Sequence, residues 1–386
     1  MLLHPVLLVV AMILTSSTVV SCSGADSLVI RSGALVLIAS CTWQCITTSM
    51  EFMVRSPWAS LVAGYSVTLL FHYIDIALLG KWSFEGQEFL KALASGLSLT
   101  VNSRFIGTPE QVKHVSLRST AVSRGRFLGR SARFIFLSYL ALDVMDSSAD
   151  REVTAKYLSS ANVPLLGRLH RSEVSAEEIV VRFFSVIGAA IGLVSVQGGC
   201  HRLFAFFSVL LGLSAPSDWP TLYGSISDAY TLRRLWSRLW HQLNTHKLNS
   251  ISNYLLHDVL GVTRETKATP ARYAKLVFAF GVSGLMHVLI DMSVGLSIYS
   301  SGALSFFGAQ TLGIAIEDAI LKAHCCCMGY NKSQSPPPSS VQRSIGYIWV
   351  CTYLVWTLPA YMFPIMSLEG NNSVVPLSVV GMLRRT

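Results

Sequence analysis

The stretch "GVSGLMHVLID", residues 281–291, places an imidazole and a carboxylate one helical turn apart inside an otherwise apolar run. On a helix advancing 100° per residue, Ser283, Gly284, His287 and Asp291 share one sector about 100° wide. Burying such groups in hydrocarbon is costly, so they face a bundle interior or a polar cavity. A neutral imidazole there can take a proton from a hydroxyl as a general base, and Asp291 can fix its tautomer through the other ring nitrogen. The competing reading is a His–Asp bond that only joins helices, with Gly281 and Gly284 permitting close packing.

Two further groups of residues bear on chemistry. Gln310, Gly313 and Glu317 are spaced i, i+3, i+7 on the next apolar run and share a face. With Ser283 they form the expected lining of a chamber. A small-molecule transporter would present the same two polar faces, although internal repeats and interrupted helices would be expected with it. The segment "SISDAYTLRRLWSRLWHQL", 225–243, reads as an amphipathic helix from about residue 231. Arg234, Arg238 and His241 share its polar side, and Trp236 and Trp240 lie one turn apart. One reading is an interfacial helix anchored by tryptophan and by arginine on lipid headgroups. The other sets the arginines on the phosphates of an acyl carrier, where a guanidinium fork matches phosphate oxygens.

These residues need helices in a bilayer to position them. Of 386 residues, 52% are hydrophobic and 13% charged, against about 25% charged in soluble domains. The net charge of +9 falls between apolar runs, which fits the positive-inside rule better than nucleic-acid binding. Runs of spanning length appear near 3–21, 29–50, 58–80, 272–295, 297–321 and 345–366. Residues 179–213 read as two spans broken at "QGGCHR", and 132–146, with Asp143 and Asp146, as a span or an interfacial segment. The first run reads as a retained span rather than a signal peptide, for want of a basic start and a small-residue cleavage site. The expected fold is therefore all-α: one polytopic transmembrane helical bundle of about eight or nine spans over 1–386, enclosing a reaction chamber.

The basic stretches 101–133, 232–275 and 322–343 all read as cytosolic. Three crossings between the first two would contradict this, so one of the intervening segments is expected to be re-entrant or interfacial. Sequons start at Asn331 and Asn371, and 333–340 is a Pro/Ser loop. The eight cysteines show neither a disulfide framework nor metal-ligand spacing, so no metal is expected. Cys325, Cys326 and Cys327, beside Lys322 and Lys332, close a span in a setting that permits S-acylation.

Taken together, "LRRLWSRLWHQ" resembles the "DFWGRRWHQ"-type motif of wax synthases and their fungal relatives, within the membrane-bound O-acyltransferase group. "SGLMHVLID" resembles that group's SGxxH helix. "VNSRFIGTP" (101–109), "DWPTLYGS" (218–225) and "FFGAQTLGIAIED" (306–318) fit in the same order, so the likeness covers about 65–365. Leu235 and Ser237 stand where the motif usually has Phe and Gly.

The resemblance implies that His287 is the catalytic histidine and that His241 assists it, donating to the developing oxyanion. It implies acyl-CoA as co-substrate with no bound cofactor, and a lipophilic alcohol as acceptor in an endoplasmic-reticulum membrane. Fungal members of this pattern resemble acetyltransferases of terpenoid and meroterpenoid metabolism. Acetyl-CoA is therefore the expected donor, with Arg234, Arg238 and Trp240 at its carrier. A wax-ester synthase joining long-chain acyl-CoA to a fatty alcohol is the alternative within the group.

Overall fold

A computed structural model describes residues 3–115, 122–264, 268–329, 337–368 and 373–383. Both sequon asparagines and half of the Pro/Ser loop, 333–336, lie outside the described residues. The described residues are helical and contain no strand. Among the described residues six helices are long and apolar enough to cross a membrane, or seven if a bent pair counts as one. This agrees with an all-α polytopic bundle and falls short of the eight or nine spans expected.

The difference lies at two segments. Residues 179–213 are one helical run, Ala176–Leu210, rather than two spans. The "QGG" break is absorbed as a π-helical turn, Val194–Gly198, between Ala176–Leu193 and Gly199–Leu210. Its glycines serve packing: a Cβ on Gly198 would press on the Phe134 ring at 3.1 Å, and one on Gly199 would touch Ser138. Residues 132–146 belong to a longer helix, Arg124–Ser148. The run expected at 297–321 is the helix Ala303–Cys327. Ser297 and Ser300 instead close a turn ahead of it through hydroxyl and amide bonds.

The chain divides into two compact units. The first takes in Met1–Val112 and Leu243–Thr311, the second Lys113–Gln242, Leu312–Leu368 and Ser373–Thr386.

In the first unit Pro5, Pro57 and Pro270 stand in the opening turns of helices Pro5–Cys22, Ser56–Tyr73 and Thr269–Met292, where a missing N–H costs nothing. Met12, Ile38, Leu69, Tyr73, Ile76 and Phe105 form a buried cluster. Leu7, Leu14, Val29, Val36 and Leu37 stay exposed, as lipid-facing residues do. Arg31 is buried inside the apolar helix Leu28–Met53 because its fork meets orphaned carbonyls. It donates to Ala77 O at 2.6 Å, Trp82 O at 2.8 Å and Ser23 O at 3.2 Å. Ala77 and Ser23 lie at the ends of helices, where intrahelical donors run out, and Trp82 lies in the loop that follows.

In the second unit Arg124–Ser148 packs on Gly199–Leu210. Its two acids bind the C-terminal segment. Asp143 accepts from Val379 N at 2.8 Å and Val380 N at 3.0 Å, and Asp146 from Val374 N at 2.8 Å and Val375 N at 3.1 Å. Ser340–Thr357 and Pro359–Met366 meet at a 43° bend, where Pro359 lacks the N–H that would continue the ladder.

Candidate functional site

His287 lies on the helix Thr269–Met292, which comes close to Ala303–Cys327 at a glycine. A Cβ on Gly284 would sit 3.0 Å from Leu304 and 3.5 Å from Phe307. That approach sets the Phe307 ring over His287, centroids 4.5 Å apart. His287 Nδ1 is 2.7 Å from the carbonyl oxygen of Ser283. A carbonyl only accepts, so Nδ1 carries the proton. In the neutral ring Nε2 therefore holds the lone pair. The Nδ1 proton goes to a backbone carbonyl one turn back. Asp291 is buried and accepts from the Ser301 hydroxyl at 2.5 Å, tying the helix end to the turn that follows.

Ser283 and Gln310 are also buried in this unit, and Gln310 donates to Phe306 O at 3.3 Å. Glu317 belongs to the second unit. Its carboxylate accepts from Leu232 N at 2.6 Å, Arg233 N at 3.3 Å and the Trp349 indole at 3.2 Å. It is the N-terminal cap of the segment that carries the arginines. Asp318 adds an ion pair with Arg233 at 2.6 Å.

That segment is not the amphipathic helix expected from residue 231. One α-turn, Leu232–Arg234, opens into a π-helical turn, Leu235–Leu239, and the backbone is extended at Trp240. Leu232 and Leu235 are buried. Gly224 N donates to Leu239 O at 2.9 Å. A Cβ at Gly224 would overlap the Arg238 carbonyl, so only glycine fits there. Arg234 is bound to the Asp228 carboxylate and lies 4.4 Å from the Tyr230 ring. Arg238 is 3.6 Å from the same carboxylate.

Arg238 also lines a cavity of about 470 Å³ with His114, Thr221, Tyr223, Ser225 and Asp228. His241 packs between Trp240 at 5.2 Å and Tyr223 at 6.1 Å. Tyr223 donates to Gln197 at 2.7 Å, and burial pushes its phenol pKa up, so it stays a donor.

The sequence reading missed a polar cluster in the first unit. His246 Nδ1 donates to Asp75 at 2.6 Å, and the Phe105 ring stacks on His246 at 3.9 Å. Phe105 has φ +55°, held in a loop that Asn102 closes through two 2.9 Å bonds to Ile106. Lys247 is fully buried and donates to Leu243 O at 3.0 Å and Asn244 at 3.2 Å. Burial pushes its ammonium pKa down to about 7, with Asp75 opposing. His72 donates from Nε2 to Leu99 O at 3.0 Å. Asp75 Oδ1 and His72 Nδ1 are buried without a hydrogen-bond partner among the described residues. The signal in the sequence was Asp75, an acid three residues after His72 in an apolar run.

The helices and the matched sequence define an integral membrane acyltransferase. Residues 219–309, which hold His241, His287, Arg234, Arg238, Trp240 and Asp291, match the membrane bound O-acyl transferase family. Acetyltransferase aurG of Calcarisporium arbuscula is 31% identical, covering 81% of this chain and 81% of its own length. Acetyltransferase ataH of Aspergillus terreus is 32% identical over 74% of this chain and 94% of its own. Acetyltransferase spyB of Aspergillus fumigatus is 33% identical over 75% of this chain and 51% of its own. The chain belongs to the membrane-bound O-acyltransferase family.

Proposed function

We propose that this chain is an O-acetyltransferase of the endoplasmic-reticulum membrane, moving acetyl from acetyl-CoA to a hydroxyl of a terpenoid or meroterpenoid alcohol. The observation that carries the mechanism is the bond from His287 Nδ1 to the Ser283 carbonyl, which leaves Nε2 as the basic atom. Nε2 takes the hydroxyl proton as the alcohol oxygen attacks the thioester carbonyl. The carbon–oxygen bond forms, the carbon–sulfur bond breaks, and the proton passes to the departing CoA thiolate. General-base help of this kind is worth about 10²–10⁴-fold. The apolar surroundings of His287 exclude water and favour transfer over hydrolysis.

In this reading His241 donates to the oxyanion, and Trp240 packs beside it. Arg238, on the wall of the cavity, meets the donor's phosphates, while Arg234 holds Asp228 in place. The names of the three relatives support acetyl as the transferred group. The acceptor class rests on the resemblance of the motifs to fungal terpenoid acetyltransferases.

The test is microsomes carrying the chain, given acetyl-CoA or palmitoyl-CoA with a panel of terpenoid and fatty alcohols and read by mass spectrometry. Acetyl esters of the terpenoid alcohols are the expected products. Palmitoyl esters of the fatty alcohols alone would replace this reading with wax-ester synthesis.

A further inference from the structure

The helix Ala303–Cys327 is longer than a bilayer requires. Its 25 residues extend about 37 Å at 1.5 Å per residue, whereas a hydrocarbon core is about 30 Å thick and is crossed by about 20 residues. Counted from Ala303, the apolar stretch ends at Lys322, and the last turn, with Cys325, Cys326 and Cys327, projects into the headgroup layer. A second observation puts the membrane boundary at the same level. The next helix begins at Ser340 under a Ser339–Gln342 capping box, and Gln342 Nε2 lies 3.4 Å from His324 Nε2. One span thus ends where the next starts, and Lys322 and Arg343 flank the junction.

Three consecutive residues on a helix fan across about 200° of its circumference, so no single packing face can cover all three. Cys326 and Cys327 are exposed, as are Ile320, Leu321 and Met328 around them. The helix end therefore presents thiols beside a surface already suited to acyl chains. Packing does not explain a run of cysteines whose side chains are exposed, because an unreactive cysteine is normally a buried one.

We propose that Cys326 and Cys327 are S-acylated by a long-chain fatty acyl group taken from long-chain acyl-CoA. The cysteine thiolate attacks the thioester carbonyl. A new carbon–sulfur bond forms on the protein as the bond to CoA breaks, and the thiol proton leaves with CoA. The attached chain turns back into the bilayer along Ile320 and Leu321 and fixes the helix end at the interface.

The test uses the full chain, tagged and expressed in a eukaryotic membrane. Free thiols are blocked with N-ethylmaleimide, thioesters are cleaved with neutral hydroxylamine, and the newly freed thiols are captured. The wild-type chain is expected to be captured only after hydroxylamine, and C325S/C326S/C327S to fall to background while keeping its acyl-transfer turnover. The single variant C22S, at another exposed cysteine, serves as the control and is expected to match the wild type. Absence of a hydroxylamine-dependent signal in the wild type overturns the proposal. So does a signal undiminished in the triple variant, or one released by reductant alone, which would mark a disulfide. Acyl transfer to alcohols is read separately, so either proposal can fail without the other.

Discussion

Two imidazoles of the first unit are held in opposite ways. His287 gives its Nδ1 proton to a carbonyl of its own helix and lies against an aromatic ring. His246 gives its Nδ1 proton to the Asp75 carboxylate, with a buried lysine as its sequence neighbour. A helical turn brings two side chains onto one face but does not decide which atoms they meet. Asp291, at a helix end, is within reach of the Ser301 hydroxyl. Asp75, deep in another helix, is met by a residue 171 positions away. The family resemblance assigns chemistry to His287, whose Nδ1 proton goes to a backbone carbonyl so that Nε2 holds the lone pair. The coupled ring is the one suited to joining helices.

If that contrast is right, substitutions separate turnover from stability. The largest effect is expected for His287→Gln, which fills the site without supplying a base. Acyl transfer should fall by about 10²–10⁴-fold with membrane insertion intact, measured as product per inserted molecule. His241→Ala comes next, at about 10²-fold for a lost oxyanion donor; an unchanged rate would reduce it to a packing residue. Asp75→Asn should act on stability instead, since a hydrogen bond to a carboxylate contributes about 1.5–3 kcal/mol. Thermal unfolding in detergent checks this, and turnover per folded molecule should stay within a few-fold of wild type.

The smallest effect concerns pH. Lys247 is held near 7 in the folded chain against about 10.4 when unfolded. The unfolded state therefore binds more protons between these values, and this residue makes stability rise with pH across that window. Below about pH 7 its burial cost is fully present. Lys247→Met should flatten that slope; a slope unchanged from wild type would show that Lys247 is not the group responsible.

The sequence was most legible where hydropathy alone decides. Four of the runs expected to span recur as helices within three residues, among them the His287 helix, because about 20 apolar residues leave the backbone no other way to satisfy itself. It was least legible where polar atoms choose partners at a distance. "LRRLWSRLWHQL" has the periodicity of an amphipathic helix, yet Glu317, 85 residues on, caps its start, and Gly224 pairs with Leu239 across its end. Those contacts favour a π-helical turn. "QGGCHR" has the composition of a loop, yet the close approach of Phe134 and Ser138 keeps it helical. The Asp75–His246 pair leaves no local trace because its members are set together only by folding.

The central claim is that His287 performs the chemistry and His246, bonded to Asp75, does not. It is tested most directly by measuring acetyl transfer per inserted molecule for His287→Ala and His246→Ala in the same microsomes. The account predicts no turnover above background for the first and measurable turnover, with lowered thermal stability, for the second. Full activity in His287→Ala, with loss in a stably inserted His246→Ala, would contradict it.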